Sequence, residues 1–289
     1  MKILRKIFLA LIAFFLVELY IDSNILEITN INIIDNEIPE SFNDYKIMHL
    51  SDLHSKSFGE KNIDLINKVN EINPNIIVMT GDMVNSNDTN FDNFFNLVKG
   101  LASKYEIYYI VGNHEQDMKE ENKKVILDFL EANGIEILDN EKVVVEENGE
   151  TINLYGSWCN LRYYSSKDAE EKYDFTLDAM NKIMENAKIE EDKYNILLAH
   201  NPNFIDVYAK WGADLTLSGH IHGGMVRIPF LGGIFSPDTV LFPKYTSGLY
   251  EVEGENLIVS RGLGRGLRGF RFFNRPEINV ITLISEGEK

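Results

Sequence analysis

Five of the six histidines in this chain fall inside short motifs containing Asp, Asn or Gly, and each motif stands where an apolar run ends. Asp52-Leu53-His54 follows the run 46–51, and Gly81-Asp82-Met83-Val84-Asn85 follows 75–80. Gly112-Asn113-His114-Glu115 follows 106–111, His200 follows 194–199, and Gly219-His220-Ile221-His222 follows 214–217. Only His49 is outside the set; it lies inside a run and reads as structural. Short continuous apolar runs are the mark of strands buried on both faces. In open α/β sheets ligands bind beyond the carboxyl ends of strands, so the placement of these motifs is itself informative. Carboxylate, amide oxygen and imidazole suit hard and borderline divalent cations, and the set contains no thiolate, so the chain is expected to do metal chemistry.

The spacing suggests how side chains converge. Asp52 and His54 are two apart, as are His220 and His222, and alternate residues of an extended segment point the same way. Gly81 lets the backbone turn sharply and carry the Asp82 carboxylate over the sheet edge, where a carboxylate can bridge two cations. Asn113 offers an amide oxygen; in an extended segment its neighbour His114 points elsewhere, toward substrate. Asn85 either supports the site or caps the next element.

Between the runs, helical periodicity predicts helices over 61–72, stopped by Pro74, over 91–101, and over 119–132, closed by Asn133-Gly134. Strand and helix alternate there, which argues for a mostly parallel, helix-covered sheet. In the second half, 143–147 and 151–156 flank Asn148-Gly149 as a hairpin, 168–187 reads as a helix, and strands over 249–253, 257–260 and 279–284 complete a second set. With no repeat and no dividing linker, residues 28–289 are expected to form one α/β domain, a four-layer αββα sandwich of two mixed sheets flanked by helices.

A net charge of −17 speaks against a nucleic-acid polymer as partner, because phosphate backbones need a basic face. The single Cys159 excludes an intramolecular disulfide and reads as a small apolar residue. Residues 1–27 form a separate segment: Lys2, Arg5 and Lys6, the apolar run 7–17, then Glu18 and Leu19-Tyr20-Ile21. This pattern predicts an uncleaved transmembrane anchor or signal segment, and the charge asymmetry puts the remaining chain outside the cytoplasm, at the cell membrane, secreted or in the cell wall. The alternative is a buried N-terminal helix of a cytoplasmic protein.

Asp-x-His, Gly-Asp, Gly-Asn-His-Glu, a lone His and Gly-His-x-His, in this order, resemble the calcineurin-like metallophosphoesterase superfamily over residues 45–284. Ser51-Asp52-Leu53-His54 and Gly219-His220-Ile221-His222-Gly223-Gly224 resemble the wording of its membrane-associated bacterial branch. The resemblance implies two divalent cations (manganese, iron or zinc), one held by Asp52, His54, Asp82 and His222, the other by Asp82, Asn113, His200 and His220. It implies His114 as general acid or clamp on the leaving-group oxygen, and a metal-bridging hydroxide as nucleophile. Glu115 stands where many relatives have Asp, which puts the support of His114 in question. The implied activity is hydrolysis of a phosphodiester or pyrophosphate, with a substrate that could be lipid-linked. A nucleotide-sugar-lipid pyrophosphatase, a phosphomonoesterase and a catalytically silent metal-binding module are the alternatives.

One segment lies outside that pattern. Residues 260–271 carry Arg261, Arg265, Arg268 and Arg271 among glycines, with Arg275 beyond. Forked guanidinium donors and open backbone suit phosphate or an anionic lipid surface, while pairing with the domain's carboxylates would make the same residues structural. Phe230, Phe235, Phe242, Phe270, Phe272 and Phe273 form either an apolar rim or core.

Overall fold

The structure is a computed structural model that describes residues 1–164, 174–265 and 271–287. The first half runs through α1 (Lys2–Asn24), β1 (Glu27–Asp35), β2 (Tyr45–Leu50), α2 (Ile63–Ile72), β3 (Ile76–Met79), α3 (Asp92–Ala102), β4 (Glu106–Tyr109), α4 (Asn113–Asp117), α5 (Glu120–Ala132) and β5 (Glu136–Ile137). The second half runs through β6 (Glu141–Glu147), β7 (Glu150–Ser157), α6 (Leu177–Ile183), β8 (Asn195–Ala199), α7 (Ile205–Trp211), β9 (Leu215–Ser218), the small ribbon β10 (Arg227–Ile228) and β11 (Gly232–Gly233), then β12 (Gly248–Val252), β13 (Glu255–Val259) and β14 (Glu277–Ser285).

These strands form two six-stranded sheets, in the orders β1-β14-β2-β3-β4-β5 and β12-β13-β9-β8-β7-β6. Both are mixed. In the first, β2, β3 and β4 are parallel while β14 runs against β2; in the second, β7, β8, β9 and β13 are parallel while β6 and β12 are antiparallel edges. Alternating residues divide between layers, as the two-residue period of a strand requires. Met48, Ile77 and Met79 pack with Leu65, Phe94, Leu97 and Leu130 of the outer helices. Ile47, Ile76 and Val78 meet Ile196, Leu198, Leu215 and Leu217 of the facing sheet. On the far side, Leu197 and Ala199 pack with Met180, Tyr208 and Trp211. The result is the expected four layers, helix, sheet, sheet, helix.

Three expectations need correction. Strand β14 does not join the second set; it enters the first sheet between β1 and β2, pairing parallel with one and antiparallel with the other. The helix expected over 168–187 is Leu177–Ile183, started by Thr176, whose hydroxyl accepts from the Ala179 amide at 3.2 Å; residues 165–173 lie outside the described residues. The transmembrane helix is also overturned: among the described residues no helix is long and apolar enough to cross a membrane. The apolar run 7–17 ends at Glu18 and, at ~1.5 Å per residue, reaches about half of the ~30 Å hydrocarbon core. Without a span, the charge asymmetry around it loses its bearing on which side the domain occupies. Helix α1 instead touches the domain: Phe14 meets Phe273 and Phe15 meets Phe272, with ring centroids 6.3 and 5.2 Å apart, and Asp22 and Ser23 at its end are buried.

Candidate metal centre

Asp52 follows β2, Asp82 follows β3, Asn113 opens α4 just beyond β4, His200 follows β8 and His220 follows β9. All of these strand ends meet at one place, the carboxyl edge shared by both sheets. The route by which the side chains converge differs from the extended geometry that the spacing suggests. Asp52 (φ 51°), His54 (φ 48°), Asp82 (φ 52°), His220 (φ 69°) and His222 (φ 51°) all adopt the left-handed region. Each left-handed step folds the chain back on its strand and turns the side chain over the sheet edge. Non-glycine residues pay roughly 1 kcal/mol or more for that region, so packing around the site must hold them there. Gly81 contributes as expected, at φ 86°; a Cβ on it would lie 2.3 Å from the Gly112 nitrogen. His114 also departs from expectation, since residues 113–117 are helical rather than extended, and it lies inside the cluster.

Three groups of ligand atoms result, each with its members within 4.8 Å of one another: Asp52, His54 and His222; Asp82, His200 and His220; and His54, Asp82 and His114. His222 Nε2 lies 3.4 Å from Asp52 Oδ1 and 3.0 Å from His54 Nε2. His200 Nε2 lies 3.2 Å from Asp82 Oδ2, while His54 Nε2 and His114 Nε2 each lie 3.9 Å from that oxygen. Asp82 thus faces both halves of the cluster. Asn113 Oδ1 is buried and, among the described residues, meets no hydrogen-bond donor, as a ligand oxygen would. Cys159 stays out of the chemistry, since burial pushes its thiol up to about 12 and a neutral thiol is a poor ligand. Carboxylate, imidazole and amide oxygen around a shared aspartate fit divalent cations.

The profile of the calcineurin-like phosphoesterases matches residues 45–224, the stretch that carries every one of these residues. The chain belongs to that family. It is 29% identical over 275 residues to the metallophosphoesterase YkuE of Bacillus subtilis (strain 168), covering 92% of this chain and 88% of that one. It is 28% identical over 253 residues to the phosphodiesterase YaeI of Escherichia coli (strain K12), covering 86% and 84%. In fold it resembles TT1561 of Thermus thermophilus, with a TM-score of 0.50 at 9% identity over 77% of this chain and 91% of that chain. The chain is a metal-dependent hydrolase of the metallophosphoesterase type.

Around the phosphoesterase site stands a set of supporting side chains. Glu115 does not support His114 through its side chain. Its carboxylate accepts the backbone amides of Asp82, Met83, Val84 and Gly112, at 2.9, 2.7, 3.2 and 3.0 Å, and so ties the Asp82 turn to the start of α4. Burial first, and then Asp82, raise it to about 7. His200 Nδ1 lies 2.6 Å from the Thr80 carbonyl, which fixes its proton there and leaves Nε2 for the site. His54 Nδ1 faces Asn85 Oδ1 at 2.9 Å, so Asn85 supports the site.

His49 has a longer reach than its position suggests. Burial holds it down to about 3, so the ring is neutral. Thr80 Oγ1 lies 2.7 Å from its Nε2 and donates to Ser51 Oγ at 2.8 Å, and Ser51 donates to Asp52 Oδ2 at 2.6 Å. The direction of this chain of donors puts the His49 proton on Nε2.

Opposite pressures act on the phosphoesterase histidines. Burial lowers His222 and His54, keeping them neutral and fit to be ligands. Burial also works against a charged His200, but Asp82 and then Asp52 overturn it and push the ring up to about 10. The same pairing holds Asp82 well below the usual carboxylate range in spite of its burial.

The arginine segment divides. Arg261 Nη2 pairs with Glu277 at 2.9 Å and Glu27 at 3.0 Å. Arg271 is 2% exposed and donates to the carbonyls of Gly264, Arg261 and Gly262 at 2.7, 2.7 and 3.1 Å. It holds a strap that runs against the first motif: Leu263 N donates to Ser51 O at 3.0 Å and Gly264 N to Asp52 O at 2.6 Å. The expected carboxylate pairing holds for Arg261, whereas Arg271 is structural in a way not expected, as a buried donor to backbone carbonyls. Arg268, with Phe270, lies outside the described residues.

Proposed function

We propose that the chain hydrolyses a phosphodiester or pyrophosphate linkage with two divalent cations, one held by Asp52, His54, Asp82 and His222, the other by Asp82, Asn113, His200 and His220. One observation carries this reading: an Asp–His–His triad on each side of the cluster, with the Asp82 oxygen that belongs to one triad also within reach of His54 in the other. When bound, such a pair supplies positive charge to the phosphoryl oxygens and acidifies water near neutral pH. The chain's own residues do the rest. Glu115 fixes the turn that aims Asp82, and the donor chain from His49 fixes Asp52. His114 Nδ1 accepts the Ser86 amide at 3.3 Å, which leaves its proton on Nε2, the nitrogen turned toward Asp82. This favours His114 as a hydrogen-bond clamp on a substrate oxygen over a full proton donor.

The substrate we propose is an amphiphile met at a membrane surface, in keeping with the motif wording shared with the membrane-associated branch. What supports it is an exposed apolar rim: Phe230 (108% exposed), Leu231, Leu241, Phe242 and Phe273. The 226–242 segment that carries most of this rim also carries Asp238, which touches His220 of the site. The test is reconstitution of purified protein with manganese, iron or zinc, then assay against soluble mono- and diesters and against micellar phospholipids and lipid pyrophosphates. Diester or pyrophosphate cleavage is expected to exceed monoester cleavage. His114→Ala is expected to lower turnover by about 100-fold or more with both cations retained. Loss of the cations from that variant would make His114 a ligand instead, and no turnover of any ester with any metal would end the hydrolytic reading.

A further inference from the structure

The two halves of the centre are unequal in charge. On the two-cation reading, on which this inference rests, one position has Asp52 to itself and shares Asp82. The other has no carboxylate of its own, only shared Asp82 with Asn113, His200 and His220. Behind His220, however, stands Asp238, whose two carboxylate oxygens lie 3.1 and 3.2 Å from Nε2. The carboxylate is largely enclosed, its side chain 16% exposed. It lies beyond the stretch matched by the family profile, in the segment that follows β11.

Among the described residues, the outer nitrogens of the other histidines meet nothing ionic. His54 Nδ1 meets the Asn85 amide at 2.9 Å, His200 Nδ1 the Thr80 carbonyl at 2.6 Å, and His222 Nδ1 has no hydrogen-bond partner. With Nε2 engaged by Asp238, Nδ1 is the His220 nitrogen left to face Asp82 and His200. The carboxylate is presented by a closed turn, in which Ser236 N donates to Val240 O and Thr239 N to Ser236 O, both at 3.0 Å.

We propose that Asp238 is a positioning residue for His220 that supplies, from behind the ring, the negative charge missing from the Asp82–Asn113–His200–His220 position. A carboxylate that accepts the distal N–H of a ligating histidine fixes its tautomer and makes it a stronger donor, and removing such a partner costs about 10–100-fold in metal affinity. Asp238 therefore narrows the gap in affinity between the two positions.

The test is metal binding by the purified full chain, with Mn²⁺ as probe, measured by calorimetry against a competing chelator and by elemental analysis. Wild type is expected to hold two equivalents. Asp238→Asn keeps the shape and removes the charge; it is expected to bind one equivalent as wild type does and the other about 10–100-fold more weakly. Asp238→Glu is expected to recover part of the loss. A loss confined to one equivalent is not what a purely structural role would give, since that would weaken both. If Asp238→Asn binds both equivalents as tightly as wild type, or loses both equally, the proposal is overturned while the two-cation reading stands. If wild type itself does not bind two, that reading falls and the proposal with it.

Discussion

Replacing Arg271 with Met keeps an apolar stem and removes the guanidinium, so it separates a buried clamp from a phosphate reader. Three well-formed bonds leave Arg271, to the carbonyls of Gly264, Arg261 and Gly262. Bonds from a charged donor contribute about 1.5–3 kcal/mol each, so three amount to roughly 5–9 kcal/mol. Against that, burial lowers the guanidinium from its ordinary value to about 10, and only then does Asp52 pull the other way. A shift of that size corresponds to about 3 kcal/mol of unfavourable charge burial. The balance is a net loss of roughly 2–6 kcal/mol in Arg271→Met, which for a domain of this size lowers the melting temperature by roughly 5–25 °C. Circular-dichroism melts of the metal-free protein measure it, beside KM for a soluble diester. An unchanged melt with a KM raised about tenfold, equivalent to about 1.4 kcal/mol of binding, would show that the guanidinium reads substrate phosphate and refute the clamp.

Asp214 sits where burial, and after it Glu255, Glu37 and Asp35, raise its carboxyl to about 7 although the Asn195 amide donates to it. The folded chain therefore holds a proton that the unfolded chain releases near pH 4, so stability falls as pH rises between about 4 and 7. Asp214→Asn is expected to gain roughly 1–2 kcal/mol at pH 8, after allowance for solvent screening of a partly exposed group, and nothing at pH 4. Urea titrations at both pH values check this, and an equal effect at each would contradict it. Gly81→Ala puts a methyl 2.3 Å from Gly112 N at φ 86°, and is expected to cost more than ~2 kcal/mol and to displace Asp82, lowering bound metal. Normal metal content and an unshifted melt would contradict that.

The strands before the motifs were legible because they are largely buried on both faces and mostly apolar; residues 76–79, an unbroken apolar run, are fully enclosed. The ordered Asp, Asn and His motifs gave the composition of the centre for the same reason: each closes such a run. The left-handed backbone at Asp52 and His220 was not legible. Neither residue favours φ above zero, and the conformation is imposed where the second sheet closes on the first, as when His220 N donates to Asp52 Oδ1 at 3.1 Å. Glu115 was visible as a departure from pattern, but three of the four amides it holds lie some thirty positions upstream in the chain. Arginine among glycine describes an anion-binding loop and a buried clamp equally well, so sequence could not choose for Arg271. Asp238 carried no signal, being an ordinary acidic turn residue until the fold brings it to His220. The pattern of residues 7–17 overstated the first helix, because a basic head followed by a short apolar run marks several kinds of segment.

The position of β14 bears on how the molecule is made. Its register joins Ile28 to Ile278 and Ile47 to Ile281, so both partners of the last strand come from near the start of the chain. During synthesis, β1 and β2 lack the strand that lies between them until residues 277–285 clear the ribosome. The outer half of the first sheet therefore closes only once β14 has been made, a long-range step of the kind that folds slowly and leaves strand edges open meanwhile.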